Sequence, residues 1–342
     1  MERNDSLDVA KLVMAWMIVA IHTSLNAEIC GFNLLWPWLR CAVPVFFIMS
    51  SYFFFLKYST TEDKGAALRK FVKQKAMLYM FWFVATLPVT IHKRYDRWFG
   101  FGFFGDVLRF VQDVLFGSTF MASWYLTALV IAVVAVAMLS KVMSNKWLLV
   151  VGAASYAWCL MFAPYRTLFP GLSDAFSGYA AIFEKPQMSF PVAILWVAIG
   201  KTLAEIGLDR INLGRKIWLK LLLPISIVFL YVEWKWVHGF SHEFKYDVYI
   251  GLVPVCLTAF LFLRGCKRQF AWARLCRGLS VVTFCLHGSV MGAVTRTRTF
   301  FGIEDTHRVV QFSATAAICV AAYLIIDKLR KYPRFKWLKI SC

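Results

Sequence analysis

Ten stretches of this chain stay apolar for about the 20 residues a helix needs to cross a bilayer core. They lie at roughly 7–27, 33–57, 71–91, 121–140, 146–164, 188–206, 217–234, 246–264, 279–295 and 309–327. Their apolar residues run continuously instead of alternating, which is the pattern of helices and not of barrel strands. The expected fold is an all-α integral membrane protein: one domain over 1–342, a bundle of about ten transmembrane helices. Composition agrees, with 60% hydrophobic residues against roughly 45–50% in a soluble domain. Ten Pro, 19 Gly and 9 Cys exclude a disordered chain, a collagen-like repeat and a disulfide scaffold. Cys30 and Cys41 both fall near the outer face, where they could in principle pair, and no Cys/His spacing suits a metal.

Basic residues set the orientation. The net charge of +19 would suit nucleic acid, but so little polar surface does not. With the N-terminus inside, cytoplasmic segments hold 24 Lys and Arg and external ones 11. That bias places both termini in the cytoplasm. The first span does not read as a cleaved signal, because Glu2, Asp5 and Asp8 outweigh Arg3 and Lys11 ahead of its apolar run. No internal repeat marks the inverted halves of a transporter. One long external loop, 92–120, contains an amphipathic segment at 106–116 that suits the membrane interface. Val107, Leu108, Val111 and Leu115 form one side of it, and Asp106, Arg109 and Asp113 the other. The preceding GFGFFG at 100–105 reads as a hinge.

Ionisable groups inside a membrane are costly, so each is a candidate for function. The first span holds Asp8, Lys11 and His22. Lys11 and His22 are 11 residues apart, about three turns and about 16 Å of rise, so they share one helix face with Asp8. Lys11 and Asp8 also suit a simple pair that snorkels to the interface, and His22 a hydrogen-bonded packing role. Arg40 stands in the second span at a depth similar to that of His22. It suits either a charge beside a catalytic imidazole or an ion pair that serves only itself. His287, in the ninth span, fits a pore lining or a polar helix contact. Arg296 and Arg298 follow it on the outer side and can grip an anionic group.

These residues carry a resemblance. Residues 7–22, LDVAKLVMAWMIVAIH, resemble the first helix of the acyltransferase-3 membrane family, where a basic residue precedes a His by the spacing of Lys11 and His22. Residues 40–55, RCAVPVFFIMSSYFFF, resemble its second-helix signature, which usually ends Ser-Gly-Tyr or Ser-Gly-Phe. Here Ser50 matches and Ser51 replaces the glycine, which puts a close backbone approach at that point in doubt. Trp124-Tyr125-Leu126 resembles the opening of the family's fourth span, and Ser280 to His287 its late Ser…His stretch. The stretch 70–75, with Lys73 and Lys75, sits where the family has a basic helix start. The branch most similar is the surface-polysaccharide O-acetyltransferases.

The resemblance implies an enzyme of the bacterial inner membrane. It would move an acyl group, most simply acetyl from acetyl-CoA, to a hydroxyl of a surface glycan or its lipid-linked precursor, with no tightly bound cofactor and no metal. A hydroxyl is a weak nucleophile, so a base must take its proton, and His22 is the candidate. The oxyanion needs a donor: Arg40 first, then Ser50 or Trp124. Lys11 and the basic 57–75 segment suit the phosphates of coenzyme A, although positive-inside topology alone explains that segment as well. Two other functions fit the same bundle: a glycan or lipid transporter, and a non-catalytic sensor or assembly protein.

Overall fold

The computed structural model describes residues 4–25, 28, 34–116, 119–183, 185–208, 213, 217–241, 246–266, 268–303 and 307–342. Every regular element among the described residues is helical. The chain runs α1 (Asp5–Thr23), α2 (Ala42–Tyr58, entered by a turn at Trp36–Leu39), α3 (Lys64–Ala85), α4 (Leu87–Trp98), α5 (Gly102–Leu115), α6 (Ser123–Leu139) and α7 (Asn145–Phe162). Then follow α8 (Ser173–Phe183), α9 (Phe190–Ile206), α10 (Ile217–Phe240), α11 (Leu252–Gly265), α12 (Ala273–Phe300) and α13 (Arg308–Leu329).

Each of the ten apolar stretches falls on a helix. Six are long and apolar enough to cross a membrane by length and composition: α1, α2 with its entry turn, α9 with the segment before it, α10, α12 and α13. The apolar helices α6 and α11 are shorter. The third stretch departs most from expectation. Its helix begins at Lys64, where Asp63 Oδ1 accepts from the Ala66 amide at 2.7 Å. It then stops at Thr86, and α4 restarts with Pro88 in its first turn, a position where the missing N–H costs nothing.

The 92–120 segment is largely helical. The chain turns at Gly100 and Gly102, whose φ values of +103° and +77° suit glycine. The hinge is therefore narrower than GFGFFG, because Gly105 is already inside α5. The amphipathic reading of this segment matches the structure. Asp113 is fully buried and accepts from Arg97 Nε at 2.8 Å and Trp98 Nε1 at 2.8 Å, tying α5 to α4. Leu108 and Leu115 on the other side are exposed, as a face against lipid would be.

At the centre, α9 is buried on nearly all sides, packed against α2, α6 and α7. It is apolar all round as far as Gly200, as a central helix must be, and its buried Lys201 pairs with Glu205 at 2.8 Å. By contrast α10 and α13 carry exposed apolar residues such as Leu221, Ile225, Val228, Leu324 and Ile325. Lipid is as apolar as leucine, so close packing of small residues holds such helices together. Ser51 shows how. It is fully buried, and its Oγ donates to Phe47 O at 2.7 Å. A Cβ on Gly200 of α9 would lie 2.0 Å from that Oγ. The close approach that Ser51 put in doubt is therefore kept, with the glycine on the facing helix.

Cys30 lies outside the described residues. Cys41 is buried, and its carbonyl accepts from the Cys256 thiol at 3.7 Å.

Candidate functional site

α1 carries its ionisable face as the spacing requires. Near its start Asp8 is buried and accepts from Lys11 Nζ at 3.0 Å. Lys11 does more than satisfy Asp8. With Lys75 of α3 and Arg277 of α12 it lines a cavity of about 200 Å³. Three cations around one space make it attractive to an anion. Deeper in, the lining turns aromatic and polar: Phe46, Ser50, Tyr125, Phe284. Ser50 Oγ and Tyr125 OH are hydrogen-bonded at 3.0 Å. The Tyr125 and Phe284 rings meet edge-on at 5.2 Å, and Phe46 and Phe284 at 5.8 Å.

At the far end of α1, His22 stacks on His287 of α12, with ring centroids 5.2 Å apart and planes 27° apart. His287 Nδ1 lies 3.0 Å from Thr283 O and 2.8 Å from Phe284 O. Carbonyls only accept, so Nδ1 carries a proton. Its Nε2 is buried and has no partner among the described residues. His22 opens onto a second cavity, of about 430 Å³, shared with Thr90, Lys93, Arg94 and Met121. Lys93 Nζ donates to Gly288 O at 3.3 Å. Desolvation first, then the charges of Arg296 and Arg94, pull the Lys93 ammonium below its usual range. Gly288 is needed here, since a Cβ would lie 2.4 Å from Met121 Cβ. Phe284 stands between the first cavity and the histidine pair. It lines the first, and its ring centroid is 6.5 Å from that of His287.

Arg40 does not share the His22 cavity. It pairs with Asp247, and its guanidinium sits 3.9 Å over the Trp36 ring. Arg40 and Trp124 instead line a third, smaller cavity together. Ser50 belongs to the cationic cavity, so the three oxyanion candidates are divided between two places. Lys75 faces that cationic cavity, whereas Lys73 is exposed. Arg296 is exposed at the last turns of α12, and Arg298 is half-buried a little further on.

Sequence reasoning missed Asp247, Arg277 and the pairing of His22 with His287. Asp247 was visible, as a carboxylate inside the apolar stretch 246–264, by the same test that singled out Asp8. Arg277 sits in a basic run that topology alone explains, and its place in the cavity comes only from the packing of α12.

Residues 4–327 match a family model described as an acyltransferase domain. Among curated proteins, a serine/alanine racemase of Enterococcus gallinarum is 25% identical over 76% of this chain and 37% of its own length. An amino-acid racemase of Enterococcus faecalis is 22% identical over 96% of this chain and 47% of its own length. A second match of that name is 28% identical over 44% of this chain and 21% of its own. The chain thus spans less than half the length of these relatives. No solved structure matches it.

Proposed function

The chain belongs to the acyltransferase-3 family of membrane acyltransferases, and from that membership we propose that it transfers an acyl group, most simply acetyl, from a coenzyme A thioester to a hydroxyl of a cell-surface glycan or its lipid-linked precursor. One observation carries the reading. A cationic cavity lined by Lys11, Lys75 and Arg277 lies at one end of α1, the stacked pair His22–His287 lies at the other, and Phe284 reaches from the first to the second. The reading takes all ten apolar stretches as spans of a bacterial inner membrane with both termini cytoplasmic.

Coenzyme A phosphates bind at the cationic end, where guanidinium and ammonium groups form charge-assisted hydrogen bonds. The acyl thioester extends past the aromatic rings toward His22. The acceptor oxygen attacks the thioester carbonyl carbon while His22 takes its proton. The C–S bond then breaks, and the leaving thiolate regains that proton as coenzyme A thiol. His287, held through Nδ1 by two backbone carbonyls, fixes the plane against which His22 stacks. Lys93, which is exposed, and Arg94, which is half-buried, add positive charge near the oxyanion.

The test uses membranes containing the protein, radiolabelled acetyl-CoA and the native envelope glycan. Label entering glycan with the wild type, and not with a folded His22→Ala protein, is the expected result. Transfer at the wild-type rate by His22→Ala would sink the base assignment.

The relatives named as racemases of amino acids favour one second reading: the bundle moves a small amino acid, or a glycan lipid, without acylating it. Substrate crossing the membrane with no consumption of acetyl-CoA would select that reading.

A further inference from the structure

α1 has a second working face. Ser6, Val9, Ala10, Val13, Met14 and Met17 line a groove of about 580 Å³. At 100° per residue they lie roughly opposite Asp8, Lys11 and His22. Leu223 of α10 and Ala259 and Phe262 of α11 form the other wall. No side chain fills the space between. Val13 is 54% exposed and Phe262 is 37% exposed, so the groove is open to what surrounds the bundle. In a bilayer that surrounding is hydrocarbon, and a groove with apolar walls is filled by an apolar chain instead of water.

Charge and length narrow the class of occupant. The strongly polar groups of the lining, Ser6 and Arg268, both lie at one end. The loop that carries Arg268 is tied to the start of α1. The Arg268 amide donates to Ser6 Oγ at 3.4 Å, the Phe270 amide to Asp5 Oδ2 at 3.0 Å, and Asn4 Nδ2 to Arg264 O at 3.2 Å. The Arg268 guanidinium is exposed and makes no ion pair among the described residues. It thus offers a charge to an anion at the mouth of an otherwise apolar groove. From Ser6 to Met17 the groove follows α1 for about 16 Å, about half of the ~30 Å hydrocarbon core. That is the depth of one leaflet.

We propose that this groove holds one phospholipid with an anionic headgroup, its phosphate against Arg268 and one acyl chain laid along Val9, Val13 and Met17. The lipid braces α1 from behind, against α10 and α11, while the opposite face of α1 carries Lys11 and His22. The binding does not rest on the acyltransferase reading, because no residue of the groove takes part in it.

The experiment places the purified full chain in nanodiscs of equal parts phosphatidylglycerol and phosphatidylcholine. The chain is then released and weighed by native mass spectrometry at rising collision energy. The last lipid to leave the wild type is expected to be a single phosphatidylglycerol. Val13→Trp, which puts an indole into the groove, should abolish that retention. Arg268→Gln should still retain a lipid but lose about fivefold in preference for phosphatidylglycerol, the worth of about one basic group at a membrane surface. Both positions are exposed, so neither change disturbs the packed core. Should Val13→Trp fail to insert, Arg268→Gln decides alone. A wild type stripped as readily as Val13→Trp, phosphatidylcholine held as firmly as phosphatidylglycerol, a preference unmoved in Arg268→Gln, or a second copy of the chain retained in place of lipid would each overturn the inference.

Discussion

The cavity beside Lys11 and the cavity beside Arg40 handle positive charge in opposite ways. At the Asp8 end, Lys11, Lys75 and Arg277 gather round one space, with Asp8 paired to Lys11. Beyond the His22 end, Arg40 is cancelled by its own carboxylate, Asp247. A cation kept in excess recruits an anion, whereas a cation that is paired contributes geometry without net charge. The same residue class inside one bundle thus makes one cavity cationic and leaves another near neutral. Net charge alone, at +19, hides this division.

The sharpest break of this contrast is His22→Ala. Turnover should fall about 10²–10⁴-fold, with acetyl-CoA binding retained at the cationic end. Single-turnover transfer and equilibrium binding, measured side by side, check this. Asp247→Asn comes next, since it strands Arg40. Breaking a fully buried pair costs about 3–5 kcal/mol, and the partial exposure of Asp247 reduces that to about 1–3. A lowered melting temperature is expected, together with phosphate binding at the third cavity that the wild type lacks. Lys75→Ala and Arg277→Ala should each raise the KM for acetyl-CoA about tenfold with kcat little changed, because each removes one charged contact to the donor. Added salt should raise the wild-type KM in the same direction. The smallest effect is predicted for Lys73→Ala. Its side chain is exposed outside the cavity, and KM should stay within about twofold. A KM effect as large as that of Lys75→Ala would mean that the cationic end extends to the surface of α3.

Much of this was legible in the chain. Continuous apolar runs located ten of the thirteen α-helices described, and a spacing of eleven put Lys11 and His22 on one face of α1. Periodicity reports faces along one helix; it does not report which helix lies opposite. That is why the stack of His287 on His22 and the capture of Arg40 by Asp247 were not visible. Both join residues more than 200 positions apart. The third stretch was misjudged for a local reason. Hydropathy averages over a window, so it passes smoothly through Thr86 and Pro88, where the backbone breaks.

The contact between Ser51 and Gly200 has a consequence for the history of such bundles. A Cβ at 200 would meet not only Ser51 Oγ but also the backbone oxygen of Ile48 at 2.8 Å, so the close approach of the two helices rests on glycine at 200. A change from glycine to serine at 51 is tolerated only on a background where 200 is glycine, and any bulk added at 200 closes that option. The order in which substitutions arrive is therefore constrained, and the two sites should show strong non-additivity when exchanged. A signature read along one helix at a time registers a missing glycine, whereas the packed pair still holds one at 200.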